Sequence, residues 1–277
     1  MNFLFWFFLI GIVVASLQDL KRREVDNWLN YLLLVGGAGF LAFSAVFNWD
    51  FKIVLIGLFG FVVMFALGNL FYYGRVFAGG DAKLLIAMFA LFVGGSIVGT
   101  LQNIGVFVIF LLLGGAVWGL VYGVGLVAMN LDKFAKVLRE DFKKYKKCSW
   151  LLVLLLVILV VLSFLNNLFW LILIFVIVIF ILMVFAKALE SSLMIRKIAA
   201  SDLREGDWLV EDVRVSKRLV KSHWEGLTKE DLVLLRKFHK KVLIKEGIPF
   251  VPGFLIALIC YGVFREVLFE LIRGFLV

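Results

Sequence analysis

Two aspartates interrupt apolar sequence in settings where carboxylates are scarce. Asp19 closes the first long apolar stretch, in the run Ser16-Leu17-Gln18-Asp19-Leu20-Lys21-Arg22-Arg23-Glu24-Val25-Asp26-Asn27-Trp28. Asp81 opens a later one, in Phe77-Ala78-Gly79-Gly80-Asp81-Ala82-Lys83-Leu84-Leu85. Two carboxylates sharing one small site cannot both ionise cheaply, so such a pair tends to keep one proton near neutral pH. Peptide hydrolysis by activated water needs that state: the ionised member takes a proton from water, and the protonated member polarises the carbonyl under attack. Gly79 and Gly80 allow close backbone approach and unusual dihedrals just ahead of Asp81. The plainer alternative is that Asp81 caps its own helix and Asp19 sits at a wet interface.

Other residue types offer less chemistry. Cys148 and Cys260 lie on very different segments and read as packing residues, and His223 and His239 are 16 positions apart with no cysteine pair nearby, so no metal and no cofactor is expected. A phosphate-binding Gly-x-x-x-x-Gly-Lys loop is absent. Gly114, Gly115, Gly119 and Gly123 include steps of four that favour close helix packing. Glu205, Asp207, Glu211 and Asp212 form an acidic cluster that reads first as a solvated face and second as a surface for a basic peptide.

The elements that must position these residues are membrane helices. Hydrophobic residues make up 64% of the 277, far above the roughly 45 to 50% of soluble domains, and charged residues only 18%. The fold class is therefore an all-α polytopic membrane protein, with about eight spans cut at polar interruptions: 2–18, 28–47, 53–73, 82–99, 104–129, 150–165, 168–186 and 250–272. The first apolar stretch lacks a basic start and a cleavage site, so it reads as a retained span. Alternate loops, 19–27, 74–83, 130–149 and 187–248, carry 26 of the 29 Lys and Arg, which makes that face cytoplasmic and the N-terminus external. Both aspartates then lie at the cytoplasmic boundary, 62 positions apart in sequence. The net charge of +9 is explained by basic loops on anionic lipid, and no nucleic-acid partner is expected.

The chain divides into a membrane core at 1–130 carrying both aspartates, a basic loop at 131–149, a transmembrane hairpin at 150–186, a cytosolic insert at 187–248 and a final span at 249–277. In the insert, the turn at Glu205-Gly206-Asp207 leads into a strand through Trp208, Val210, Val213 and Val215. Thr228-Lys229-Glu230-Asp231 starts a helix with capping-box spacing, predicted to run from Thr228 through Lys241 with Leu232, Leu235, Phe238 and Val242 on one face. The insert is thus a small α+β unit before the last helix.

The residues around both aspartates resemble the archaeal type IV prepilin peptidases and their preflagellin peptidase relatives. The first family motif is matched by Asp19-Leu20-Lys21, Arg23 and Val25-Asp26-Asn27, the second by Gly80-Asp81-Ala82-Lys83-Leu84. Ala78 replaces the family's first glycine and Asp26 its usual proline, which makes Asp26 a decoy carboxylate. These motifs cover roughly residues 10 to 95. The insert and Gly247-Ile248-Pro249-Phe250-Val251-Pro252-Gly253 resemble the family's archaeal C-terminal extension.

The resemblance implies a membrane aspartic endopeptidase with Asp19 and Asp81 catalytic and Gly79, Gly80, Lys21 and Lys83 supporting the site. Pro249, Phe250 and Pro252 are candidate substrate-site contacts, or else simply begin the last helix. Partners would be pilin-like or archaellin precursors and membrane lipid. Bacterial relatives carry a cytosolic cysteine cluster and add N-methylation; with no such cluster here, only peptidase activity is implied. The rivals are a presenilin-like intramembrane protease and a noncatalytic transporter or scaffold. The topology has its own test: a single cysteine replacing Lys229, in a Cys148→Ser and Cys260→Ser background, is expected to label with an impermeant reagent only from the cytoplasmic side, and one near Asp50 only from outside.

Overall fold

The computed structural model describes residues 3–140, 156–161, 164, 168–215, 218–223, 226–237 and 241–276. It divides into two compact units, Met1–Val121 with Ile248–Val277, and Tyr122–Gly247. Cys148, His239, Phe238 and most of the span expected at 150–165 lie outside the described residues.

The first unit is built from α1 (Phe3–Arg22), α2 (Asn27–Phe47), α3 (Lys52–Tyr73), α4 (Gly79–Ala87), the beginning of α5 (Ile97–Met129) and the final helix. Phe8, Ile12, Leu33, Met64, Leu84, Leu85, Met88, Phe92 and Phe107 form its fully buried centre. Exposed apolar side chains such as Phe3, Trp6, Ile10, Leu55 and Leu58 cover the outside, as lipid contact requires. Six helices of the described chain are long and apolar enough to cross a membrane. This is a multi-pass membrane protein.

The span expected at 82–99 is not one helix. α4 gives way to a 3-10 turn at Met88–Phe92, Val93 is extended, and α5 begins at Ile97. The reason is the run Gly94-Gly95-Ser96. Ser96 caps α5 by accepting the Gly99 N–H (3.0 Å), Thr100 Oγ1 accepts the Gly94 N–H (3.0 Å), and Asn103 Nδ2 donates to the Phe92 carbonyl (3.1 Å). Broken backbone at membrane depth is tolerated where protein side chains satisfy it, as here. The helical stretch from Gly79 to Phe92 rises only about 23 Å, short of a bilayer's hydrocarbon core of about 30 Å.

Two of the helices that lead to the aspartates end on residues with positive φ. Arg23 (φ 58°) donates its N–H to the Asp19 carbonyl (2.7 Å), and Arg75 (φ 59°) follows α3 and releases the chain toward Phe77.

The second unit holds the end of α5, helical residues 131–140, and α6 (Leu168–Leu189), which runs through a π turn into β1 (Ile195–Ala199). There follow β2 (Trp208–Leu209), β3 (Val213–Val215), β4 (Arg218–Val220), α7 (Lys229–Lys237) and β5 (Lys241–Lys245). The sheet order is β1-β5-β2, antiparallel, with Ile195 opposite Lys245 and Trp208 also opposite Lys245; β3 and β4 form a separate hairpin. Leu203, Val215, Val220, Leu235 and Ile244 fill its own core.

Three expectations for the insert are corrected. The strand through Trp208 to Val215 is two short strands in different sheets. The helix from Thr228 ends its described run at Lys237, and Lys241 instead begins β5. Val242 is buried from that strand rather than from the helix face. Val242 to Ile244 pair with β1 throughout, and Ile244 also pairs with Leu209 of β2; that pairing overrides the helical spacing of the apolar residues. The capping box stands: Thr228 Oγ1 accepts the Asp231 N–H (3.3 Å) while Asp231 Oδ2 accepts the Thr228 N–H (3.0 Å).

In the first unit, α5 and the last helix, α8 (Val251–Leu276), meet through glycines. A Cβ on Gly253 would lie 2.9 Å from Gly115 Cα, backbone against backbone. Gly253→Ala is therefore expected to force the helices apart and lower stability by about 1 to 3 kcal/mol. Thermal unfolding in detergent checks this, with Gly119→Ala, where a Cβ meets nothing within 4 Å, as the neutral control.

Candidate active site

Asp19 lies near the carboxyl end of α1 and is 6% exposed. A carboxylate there faces helix carbonyls, so local backbone offers it no donor. The donor comes from α8: Asp19 Oδ2 accepts the Val251 N–H at 2.9 Å. Asp81 is 9% exposed in the first turn of α4, where its Oδ2 accepts the Ala78 N–H at 3.2 Å. It caps its helix, as the plainer reading expected, and the charge of Asp19 also acts on it. α4 is not among the six described helices that are long and apolar enough to cross a membrane by themselves. Burial, and after it the charge of Asp19, pushes the Asp81 carboxyl up to about 7, against the opposing pull of the Ala78 N–H. That direction favours the neutral form of the Asp81 carboxyl group.

The supporting residues fall into distinct places. Lys83 Nζ donates to Asn27 Oδ1 at 3.0 Å, fastening the beginning of α4 to the beginning of α2. Lys21 is exposed on the last turn of α1. Gly79 and Gly80 are the first two residues of α4, and neither has positive φ, so the unusual dihedrals expected of them are not used. A Cβ on Gly79 would meet only Tyr72 at 3.7 Å, and one on Gly80 only the Val25 nitrogen at 4.0 Å. Their surroundings do not crowd them, and what they provide is bare backbone beside Asp81.

Asp26 is occupied elsewhere: Arg22 Nη1 lies 3.5 Å from Oδ1, and Trp28 Nε1 donates to Oδ2 at 3.2 Å.

The segment before α8 touches the surroundings of both aspartates. Trp118 Nε1 on α5 donates to the Pro249 carbonyl at 2.7 Å. The Phe250 ring lies 5.2 Å from that of Phe77, which leads into Ala78-Gly79-Gly80-Asp81, and a Cβ on Gly115 would overlap it. Pro252 is buried in the first turn of α8. Sequence reasoning missed Trp118, Phe77 and Val251, because an apolar residue in a span carries no mark of what its backbone or ring will meet. It also missed Asn30, which is 5% exposed, one turn beyond Asn27, with neither amide atom bonded to protein. An asparagine inside an apolar span was the available signal.

The acidic cluster of the insert has local structural work. Asp207 Oδ2 accepts the Arg204 N–H (2.7 Å), Asp212 Oδ1 accepts the Ser222 N–H (2.8 Å), and Glu205 lies 3.8 Å from Lys229. Burial pushes the Asp207 carboxyl up, offset by the Arg204 N–H and charge. Among the described residues, no group of three or more His, Cys, Asp or Glu is placed to hold a metal ion.

Residues 6–124 match the sequence profile of the type IV leader peptidase family, and this stretch contains both aspartates. That stretch, less than half of the chain, is similar to the type IV leader peptidase family. The preflagellin peptidase of Methanococcus maripaludis is 34% identical over 82 residues, and that of Methanocaldococcus jannaschii 32% over 82 residues. The preflagellin peptidase of Methanococcus voltae is 30% identical over 83 residues. Each match covers 30% of this chain and 35% of the relative, so the chain spans about a third of the length of the curated relatives it matches. No solved structure matches the chain. The leader peptidase stretch ends before α8, so the donor to Asp19 comes from outside the matched residues.

A carboxyl group displaced upward is neutral below its midpoint and ionised above it. Infrared difference spectra are expected to show a protonated carboxyl band that disappears as pH rises through about 7 and that is missing in Asp81→Asn.

Proposed function

We propose that the protein is a membrane aspartic endopeptidase that removes the short basic leader from pilin-like or archaellin precursors at the cytoplasmic membrane face, with its N-terminus external. The observation that supports this reading is the burial of both Asp19 and Asp81, with the charge of Asp19 acting on Asp81, within the stretch that matches the leader peptidase family. The names of the matched relatives, preflagellin peptidases, support the substrate class.

A precursor held in the bilayer by its apolar helix leaves its basic leader in the cytosol, and the junction then lies at the depth of the two carboxyl groups. The ionised aspartate takes a proton from water as the water oxygen bonds to the scissile carbonyl carbon. The carbonyl oxygen takes the proton of the other carboxyl group, giving a tetrahedral diol. Transfer of the first proton to the amide nitrogen then lets the C–N bond break, and a diol proton returns to the second carboxyl group, restoring the pair. Lys83 and Asn27 hold α4 against α2 so that Asp81 keeps its place.

Asp19→Asn and Asp81→Asn are each expected to reduce cleavage of a leader-bearing precursor by at least about 10³-fold while membrane insertion is unchanged. Asp26→Asn, whose carboxylate is engaged by Arg22 and Trp28, is expected to retain activity. Substantial turnover by either dyad variant would sink the reading. EDTA is expected to leave cleavage intact; loss of activity restored by one divalent ion would instead point to a metal mechanism.

A further inference from the structure

The two carboxyl groups of the pair are chemically alike, but their supports differ. Asp19 accepts the Val251 N–H, at 2.9 Å, from the amino end of α8, a 26-residue helix. That end is where helix donors are free and the macrodipole is positive, both of which favour a negative charge. Pro252 has no N–H, and the Gly253 N–H turns back to the Phe250 carbonyl (2.8 Å), so the donor that α8 gives Asp19 is the Val251 N–H. Asp81 accepts one N–H, from Ala78, at 3.2 Å and belongs to the nine-residue α4.

The amino end of α8 is itself held from the other side. Trp118 Nε1 bonds the Pro249 carbonyl two residues before Val251, and the Phe250 ring is seated over Gly115 and against Phe77.

We infer that the amino end of α8 makes Asp19 the general base of the pair and Asp81 its acid, and that Trp118 is the positioning residue that keeps this end on Asp19. The inference rests on the leader peptidase reading above and adds a division of labour to it. Charged groups around Asp19 do not supply the distinction from α8, whose first turn carries none. Arg23 follows Asp19 at the end of α1 and donates its N–H to the Asp19 carbonyl, Asp81 is the partner, Lys83 is bonded to Asn27, and Asp26 is engaged by Arg22.

The test replaces the Val251 amide with an ester, by incorporating the α-hydroxy analogue of valine. This removes the N–H while keeping the side chain and the helix geometry. Cleavage of a precursor by the full-length protein is then followed against pH, in parallel with Trp118→Phe. Loss of the donor is expected to move the acid limb of kcat up by about one pH unit, with the alkaline limb and KM unchanged. Trp118→Phe, which keeps a ring but no donor, is expected to move the same limb in the same direction and lower kcat about tenfold.

An ester variant with both limbs in place, or one whose alkaline limb moves instead, would overturn the assignment of Asp19 as base. A Trp118→Phe protein that loses thermal stability but keeps the wild-type limbs would overturn the positioning role. These outcomes count only while Asp19→Asn is inactive; activity in that variant would remove the leader peptidase reading itself.

Discussion

A carboxylate buried among apolar helices must find its hydrogen bonds inside the bundle, and free backbone donors exist there only at the amino ends of helices. Asp81 meets this condition with its own helix, since it stands in the first turn of α4 and reaches back to Ala78. Asp19 cannot, because it lies where α1 presents carbonyls. Its donor must be brought in from a different helix beginning at the same depth, and it comes from a residue 232 positions later in the chain. The return of α8 to the side of α1 is thus a requirement of one buried carboxyl group, and the rest of the first unit is arranged around that contact.

Close approach makes the arrangement stable. Inside lipid there is no water to drive helices together, so packing and interhelical hydrogen bonds must do so. Gly114, Gly115 and Gly253 let α5 and α8 touch through backbone, and the Trp118 indole bonds to the Pro249 carbonyl at the same crossing. Phe77, Phe250 and Phe254 fill the space between the beginning of α4 and the beginning of α8, with ring centroids 5.2 to 5.9 Å apart. The two segments that bear on the aspartates are therefore packed on one another. The break at Gly94-Gly95-Ser96 ends the short helical stretch whose first turn carries Asp81, and Ser96 and Thr100 accept the freed backbone N–H groups of Gly99 and Gly94.

The insert is stabilised by different means. Its short strands gather around Leu203, Leu235 and Ile244, and its turns are held by side-chain caps from Thr228, Asp207 and Asp212. Gly206 and Gly226, both at positive φ, approach so closely that a Cβ on Gly226 would overlap the Gly206 backbone. The acidic residues that looked available for a ligand are mostly spent on this local structure.

Much of this protein was legible before any coordinates. Asp19 and Asp81 stood out because charge is scarce in apolar sequence, the membrane class followed from composition, and the capping box at Thr228 followed from local hydrogen-bond chemistry. Each of these signals acts over a few residues or over the average of many. The helix break after Phe92 and the strand at Lys241 were misread for the complementary reason: apolar spacing does not distinguish a helix from a buried strand or a broken span when tertiary hydrogen bonds decide. Only the folded chain brought Val251, Trp118 and Phe77 around the aspartates. A backbone N–H is the same in every residue but proline, so nothing in the sequence marks which one will meet a carboxylate. Its role is fixed by where the helices end in space.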